Sequence, residues 1–310
     1  MRLSTTQGLG DEPPETNAAS SVRKKPDGAK KVNIGEWIDG RYIIEERIGA
    51  GGFGTVWKAV ESKREEFVAV KEVRHKWLNS PKMLNYFKNE FKVLERLSHE
   101  STVCPIDLVR GNGTYLIIME YLCGGSLSQR LRHSEPLEIS TALLITVRML
   151  DVLKACSRLK IIHRDIKPSN ILFADKSFEQ PKLGDFGLAC FKSELLALSP
   201  RAIGSEIAGT LTYMSPEQLN GKKLSVKTDI YSLGMTLYKM LTGRLFFDPE
   251  LLSRAGIKRA ILRPFREHPG RYRPDLPYWL DELVMNMISV EPRKRPGDPQ
   301  AVLDVIERNS

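Results

Sequence analysis

Cysteine is scarce in this chain. The four thiols, Cys104, Cys123, Cys156 and Cys190, form no C-x-x-C pair and have no cluster of histidines nearby, which argues against both a zinc site and a disulfide framework. Cys123, like the others, reads as an ordinary reduced thiol that needs no further role. No apolar run reaches the roughly 18 residues a membrane helix needs. The opening Met1-Arg2-Leu3-Ser4-Thr5-Thr6 lacks the apolar stretch of a secretory signal. A reducing cytoplasm is the expected compartment, without a membrane partner. Nucleic-acid motifs are missing as well. The formal charge of +9 comes from Lys and Arg interspersed with Asp and Glu almost throughout, so nucleic acid is not an expected partner. The main local excess runs from Arg254 to Arg273, with Glu267 as its lone acid, and fits either a solvated basic face or a dock for an acidic partner. No internal repeat and no signal for oligomeric state is present.

Hydrophobic residues make up 41% and charged residues 27% of the 310 positions, the balance of a soluble globular protein with ample chain for a core. Residues 1–34 hold Ser, Thr, Pro, Glu and Lys with almost no large apolar groups; they cannot offset the entropy of ordering and are expected to form a disordered tail. Beyond them, Tyr42-Ile43-Ile44, Thr55 to Val60 and Phe67 to Lys71 read as three strands. Leu84, Phe87, Phe91, Leu94 and Leu97 recur at three- and four-residue steps and predict a helix ending before Ser98-His99. Two further strands are expected at Ile106 to Arg110 and Tyr115 to Tyr121, around Gly111-Asn112-Gly113. After Gly124-Gly125 the pattern turns helical: Ile139 to Lys160, Thr228 to Thr242, Leu280 to Ile288 and Ala301 to Glu307. A strand-rich first third feeding a helical remainder predicts an α+β fold in two lobes.

Four motifs carry chemistry. Ile48-Gly49-Ala50-Gly51-Gly52-Phe53-Gly54-Thr55-Val56 contains G-x-G-x-x-G-x-V, whose glycines let backbone approach a polyphosphate without Cβ clashes. The same glycines open dinucleotide-binding folds, but there a helix follows. Here Val56 to Val60 reads as strand, so a hairpin over a ligand is expected. Lys71 ends Val68-Ala69-Val70-Lys71; an ammonium in an apolar strand either lies at a solvated edge or needs a partner. Glu90 and Glu95 both lie on the following helix, and Glu90, nineteen residues after Lys71, is the better candidate. In His163-Arg164-Asp165-Ile166-Lys167-Pro168-Ser169-Asn170, Asp165 can accept or orient a hydroxyl proton and Lys167 can neutralise charge on a transferred phosphoryl group. Asn170 offers an amide oxygen to a magnesium ion. Asp185, in Asp185-Phe186-Gly187, adds the carboxylate that magnesium favours beside borrowed phosphate oxygens. Each motif alone is weak; their order and spacing together are not.

From Tyr42 to Ile306 these motifs resemble the eukaryotic-type serine/threonine protein kinase family. The resemblance extends through Ser215-Pro216-Glu217, where Ser replaces the usual Ala, to Asp229 as brace of the catalytic loop and to Arg295 as partner of Glu217. It implies a kinase domain over residues 35–307, with an N-lobe at 42–119, a hinge at 120–123 and a C-lobe at 124–307. The implied nucleotide contacts are Ile48 through Val56, Ala69, Lys71, Met119 guarding the inner pocket, backbone groups of Glu120 and Leu122, Asn170 and Asp185. Lys71, Glu90, Asp165 and Lys167 are the implied catalytic set, with Mg2+ (Mn2+ being admissible) on Asn170 and Asp185. Leu94, His163, Phe186 and Asp229 match an internal stack whose alignment marks an active kinase. Lys167-Pro168-Ser169-Asn170 resembles the serine/threonine branch, and the neighbourhoods of Ser215 and Asp229 are most similar to bacterial members. The implied activity is transfer from ATP to protein Ser/Thr hydroxyls, including those of the chain itself. The alternative is a pseudokinase scaffold, which would show erosion at Lys71, Asp165 or Asp185; none is seen.

Regulation is implied at Arg164, whose family counterpart commonly binds an activation-loop phosphate. Counting back from Gly209-Thr210, the position often phosphorylated falls at Glu206, next to Ser205. Either Glu206 serves Arg164 as a permanent anion or phosphorylated Ser205 does so.

Overall fold

Alternation along one strand decides where the chemistry lies. A computed structural model describes residues 32–50, 54–73, 80–111, 113–191, 211–264 and 266–309. Its first part is a six-stranded antiparallel sheet built from β1 (Trp37–Ile38), β2 (Tyr42–Ala50), β3 (Gly54–Glu61), β4 (Glu66–Val73), β5 (Pro105–Gly111) and β6 (Thr114–Glu120), in the order β1-β2-β3-β4-β6-β5. On β4, Val68 and Val70 point to one face and join Ile38, Tyr42, Ile44, Leu116 and Ile118 in a buried cluster. Val73 points to the other face and meets Phe87 and Ile117 beneath α1 (Pro81–Leu97). Successive strand residues alternate sides, so Lys71, paired across from Ile117, faces the helix and the cleft. Register shifts between Ile44 and Glu46 and between Arg47 and Gly49 bend β2 as it approaches the glycine turn.

The second lobe is helical: α2 (Leu127–Arg130), α3 (Ile139–Arg158), α4 (Pro216–Leu219), α5 (Val226–Thr242), α6 (Arg254–Leu262), α7 (Tyr278–Met287) and α8 (Pro299–Asn309). The axis is α5. Ser225 caps its first turn by accepting from the Lys227 N–H, and Gly243 in the left-handed region ends it. Nearly every residue of α5 from Thr228 onward is buried, which explains its near-continuous apolar run. At Gly234 an added Cβ would lie 2.7 Å from the Met287 Cβ, so this glycine lets α5 and the end of α7 touch. Two short ladders, β7 (Ile161–Ile162) with β10 (Cys190–Phe191) and β8 (Ile171–Phe173) with β9 (Pro181–Leu183), carry the loops of the cleft on this helical base.

The expected strands, the first helix and the two-lobed α+β plan are all present. Three differences have physical causes. The tail assigned to residues 1–34 gives way to packed chain sooner: Val32 is 2% exposed, and its N–H donates to Glu72 Oε1 at 3.2 Å. The helix expected to reach Lys160 stops at Arg158, because Lys160 turns into left-handed backbone (φ 58°). A two-residue strand, β1, precedes the first expected one and pairs Trp37 with Ile43.

Candidate active site

A cleft of about 1000 Å³ separates the lobes, roofed by β2 and β3 and floored by the loop at 163–170. Lys71 enters from β4, buried to 7% exposure, and its Nζ lies 2.6 and 2.7 Å from the two Glu90 oxygens of α1 and 2.9 Å from Asp185 Oδ1. Burial disfavours the ammonium, but Asp185 and Glu90 outweigh it and hold Lys71 above its ordinary pKa. Burial raises Glu90 to about 6 against the pull of Lys71. Asp185 behaves oppositely: burial works against its ionisation, yet Lys71 brings it down to about 2. Its side chain remains 33% exposed, so an ionised carboxylate opens onto the cleft. Glu95, the competing acid of α1, is exposed on the opposite side of the helix.

The loop at 163–170 is fixed from below. Asp229 of α5, fully buried, accepts the His163 N–H at 2.9 Å and the Arg164 N–H at 2.8 Å. Burial lowers the His163 pKa to about 4, so the ring is neutral; its Nδ1 accepts the Asp165 N–H, which places the proton on Nε2 facing the Gly184 carbonyl. The same ring packs edge-on against Phe186 at 4.4 Å, and Leu94 shares the core cluster of Phe186, so α1 rests on the turn after Asp185. Arg164 (φ 72°) and Asp185 (φ 57°) both hold left-handed backbone, a strain that clusters at functional sites.

Asp165 receives Lys167 Nζ at 2.7 Å and Asn170 Nδ2 at 3.0 Å, both on Oδ2. That leaves Oδ1 for an acceptor hydroxyl. Burial lifts the Asp165 carboxyl to about 6, against the opposing charge of Lys167. Asn170 Nδ2 also donates to the Asp165 carbonyl at 2.7 Å, which commits the amide nitrogen inward; its oxygen, met by the Ser169 hydroxyl at 3.5 Å, retains a lone pair for a cation. With ionised Asp185 beside it, this hard oxygen pair fits a divalent ion that keeps most of its waters.

The roof and hinge are assembled from Ile48, Gly49, Ala50, Gly54, Val56 and Ala69, with Met119, Glu120 and Leu122 at the back. A Cβ on Gly54 would lie 2.4 Å from the Glu72 carbonyl oxygen, so the close approach of β3 and β4 requires glycine there. Among the described residues no hydrogen bond engages the backbone of Leu122, which keeps it available to a base. Thr55 does not join this set; strand alternation turns it away from the cleft that Gly54 and Val56 line. Gly51, Gly52 and Phe53, like Ser205, Glu206 and Thr210, lie outside the described residues.

Sequence reasoning missed three supports. Gln218 Nε2 donates to the Arg164 carbonyl at 2.8 Å while its Oε1 accepts the Ser215 N–H; the Ser215-to-Gln218 spacing of a capping box was the available signal. Lys182 grips both oxygens of Glu120 at 2.7 and 2.9 Å, bracing the hinge from the C-lobe. Thr228 adds a hydroxyl to Glu217 at 2.9 Å. The expected Arg295–Glu217 pair forms bidentately at 2.7 and 2.9 Å. Arg164 itself is 5% exposed, and its Nε and Nη2 find no partner among the described residues.

Comparison with known proteins agrees with this geometry. Residues 42–305 match the family model described as protein kinase domain. The serine/threonine-protein kinase PrkC of Bacillus subtilis is 32% identical over 264 residues, covering 84% of this chain and 39% of that protein. The serine/threonine-protein kinase pkn3 of Myxococcus xanthus is 31% identical over 273 residues, covering 86% of this chain and 50% of that one. The chain thus spans half or less of the length of these relatives. The crystal structure of the Mycobacterium tuberculosis PknI kinase domain superposes with a TM-score of 0.68 at 20% identity, covering 90% of this chain and all of that one.

Proposed function

This chain belongs to the protein kinase family, and on that premise we propose that it transfers the γ-phosphoryl group of Mg-ATP to Ser and Thr hydroxyls of proteins, its own included. The observation that carries the reading is Lys71 bound at once to Glu90 and Asp185, in the cleft that also holds Asp165. Lys71, steadied by Glu90, meets the α- and β-phosphates as a fixed positive charge. Asp185 and the Asn170 oxygen would hold Mg2+, with Mn2+ admissible, which would supply positive charge against the phosphate oxygens. Asp165 Oδ1 orients the acceptor hydroxyl and takes its proton as the new O–P bond forms and the bond to the leaving diphosphate breaks. Lys167, already on Asp165, balances negative charge at the transferred group. Backbone of Glu120 and Leu122 receives adenine under Ile48, Ala69 and Met119.

Arg164 extends the reading to regulation. A buried guanidinium with two nitrogens unmatched among the described residues calls for an anion, and the sequence between Phe191 and Leu211 offers two candidates, Glu206 or a phosphate on Ser205, before Thr210. A Ser205→Ala protein with full activity favours Glu206; an inert one favours the phosphate. The compartment we infer is reducing, since the described thiols Cys104, Cys123 and Cys156 are free. No helix among the described residues is long and apolar enough to cross a membrane. The test is incubation with Mg-ATP and a generic protein acceptor. Phosphate transfer that Asp165→Asn abolishes supports the enzyme; nucleotide binding without transfer supports a scaffold.

A further inference from the structure

Lys239 brings a cation to the acceptor side of the cleft that forms no ion pair with any described residue. It sits in the buried second half of α5, half-exposed, and lines the same cavity as Lys167, Ser169 and Thr212. Among the described residues no carboxylate comes within ion-pair distance of its Nζ and no hydrogen bond is made to it. Burial pulls its pKa down, against the smaller opposing effect of the Glu250 carboxylate. A half-buried ammonium in that state gains from any anion brought to it.

The acids of the cleft are, by contrast, already engaged. Lys71 holds Glu90 and Asp185, Lys167 holds Asp165, and Lys182 holds Glu120. The remaining one, Glu46, lies on the roof, 3.9 Å from Lys58. The floor on which an acceptor polypeptide would lie therefore offers hydroxyls at Ser126, Ser128 and Ser169, the positive charge of Lys239, and no unpaired carboxylate among the described residues. Among its described residues such a floor has no free carboxylate to receive an arginine or lysine beside the target hydroxyl. It has one group suited to receive a carboxylate.

We propose that Lys239 is a specificity-determining residue that selects acceptor polypeptides carrying Asp or Glu near the target Ser or Thr. This rests on the kinase reading above. An acidic side chain docks on the ammonium and sets the register of the acceptor; a basic one meets like charge and is turned away. The contact acts on acceptor binding, so it belongs in KM more than in kcat.

The experiment measures kcat and KM of the full chain with Mg-ATP on serine peptides differing only in their flanks: glutamate, alanine, arginine or phosphoserine. Expected is a glutamate-over-alanine advantage of about tenfold in kcat/KM, carried by KM, with arginine last. In Lys239→Met the glutamate-to-alanine ratio falls to near one, and in Lys239→Glu the ranking of glutamate and arginine inverts. The wild-type ranking decides the matter even where a variant fails to fold. Equal use of all four peptides by the wild type overturns this inference alone, as does a glutamate advantage that survives Lys239→Met. An advantage confined to the phosphoserine peptide overturns the carboxylate assignment. Failure to phosphorylate any of them overturns the kinase reading together with this one.

Discussion

Two buried ion pairs link distant parts of this molecule, and they differ in what they leave open. Arg295 and Glu217 close on each other bidentately, and the guanidinium spends its other donors on the carbonyls of Lys227, Ser289 and Val290. Arg295 also lies over the Tyr231 ring at 4.8 Å. Nothing of that pair faces the cleft. Lys71 and Glu90 are equally buried, but the compact ammonium reaches a third group, Asp185, which is one-third exposed to the cavity. A planar fork saturated by backbone holds structure together; a point charge shared between two acids holds chemistry in place.

That contrast can be broken by mutation. The largest effect is expected at the reaction itself: Asp165→Asn should lower kcat by about 10³-fold, within the range for a lost proton acceptor, with little change in thermal stability. Lys71→Met should cost about 10²-fold in kcat/KM and leave the fold largely intact, since Glu90, already raised to about 6, can take up a proton when its partner goes. Arg295→Ala should do the reverse, costing about 3–5 kcal/mol of unfolding free energy by leaving Glu217 buried and unpaired; denaturant titration reads it. If Arg295→Ala were stable but inactive, the division between the two pairs would fail.

Smaller effects sharpen the picture. Gly234→Ala should destabilise by about 1–3 kcal/mol, because Met287 Cβ and Ile288 Cγ2 would stand 2.7 and 2.9 Å from the new methyl group. The pH dependence separates the carboxyls. Asp165 must be ionised to accept a proton and sits near 6, so kcat/KM should fall as pH drops through about 6 and level off above it. Asp185, held to about 2, adds no limb in that range. Glu90 shares the value near 6, so residual activity of Glu90→Gln should keep the same acid limb; its disappearance would assign the limb to Glu90 instead.

Much of this was legible in the chain because the deciding information is local. Strand alternation puts Lys71 on the helix-facing side, and helical periodicity puts Glu90 inward and Glu95 outward. The loop from His163 to Asn170 folds on itself through contacts only two to five residues apart, from Lys167 and Asn170 back to Asp165. What escaped reading depends on chain ends brought together by the fold. Lys182 and Glu120 are 62 positions apart, and Gln218 and Arg164 are 54 apart. Val32 looks like tail because its partner, Glu72, is 40 residues away and an acid rarely announces a buried N–H. Thr55 shows the opposite error: a motif was carried over whole where the pleat turns one of its members away.

The most direct test of the account is a double-mutant cycle on Lys71 and Glu90, following phosphate transfer from Mg-ATP to a protein acceptor. If the two act as one unit at the nucleotide, wild type is active, each single variant (Lys71→Met, Glu90→Gln) is impaired, and the double variant is no worse than Lys71→Met alone. An inert wild type, or losses that simply multiply, would contradict it.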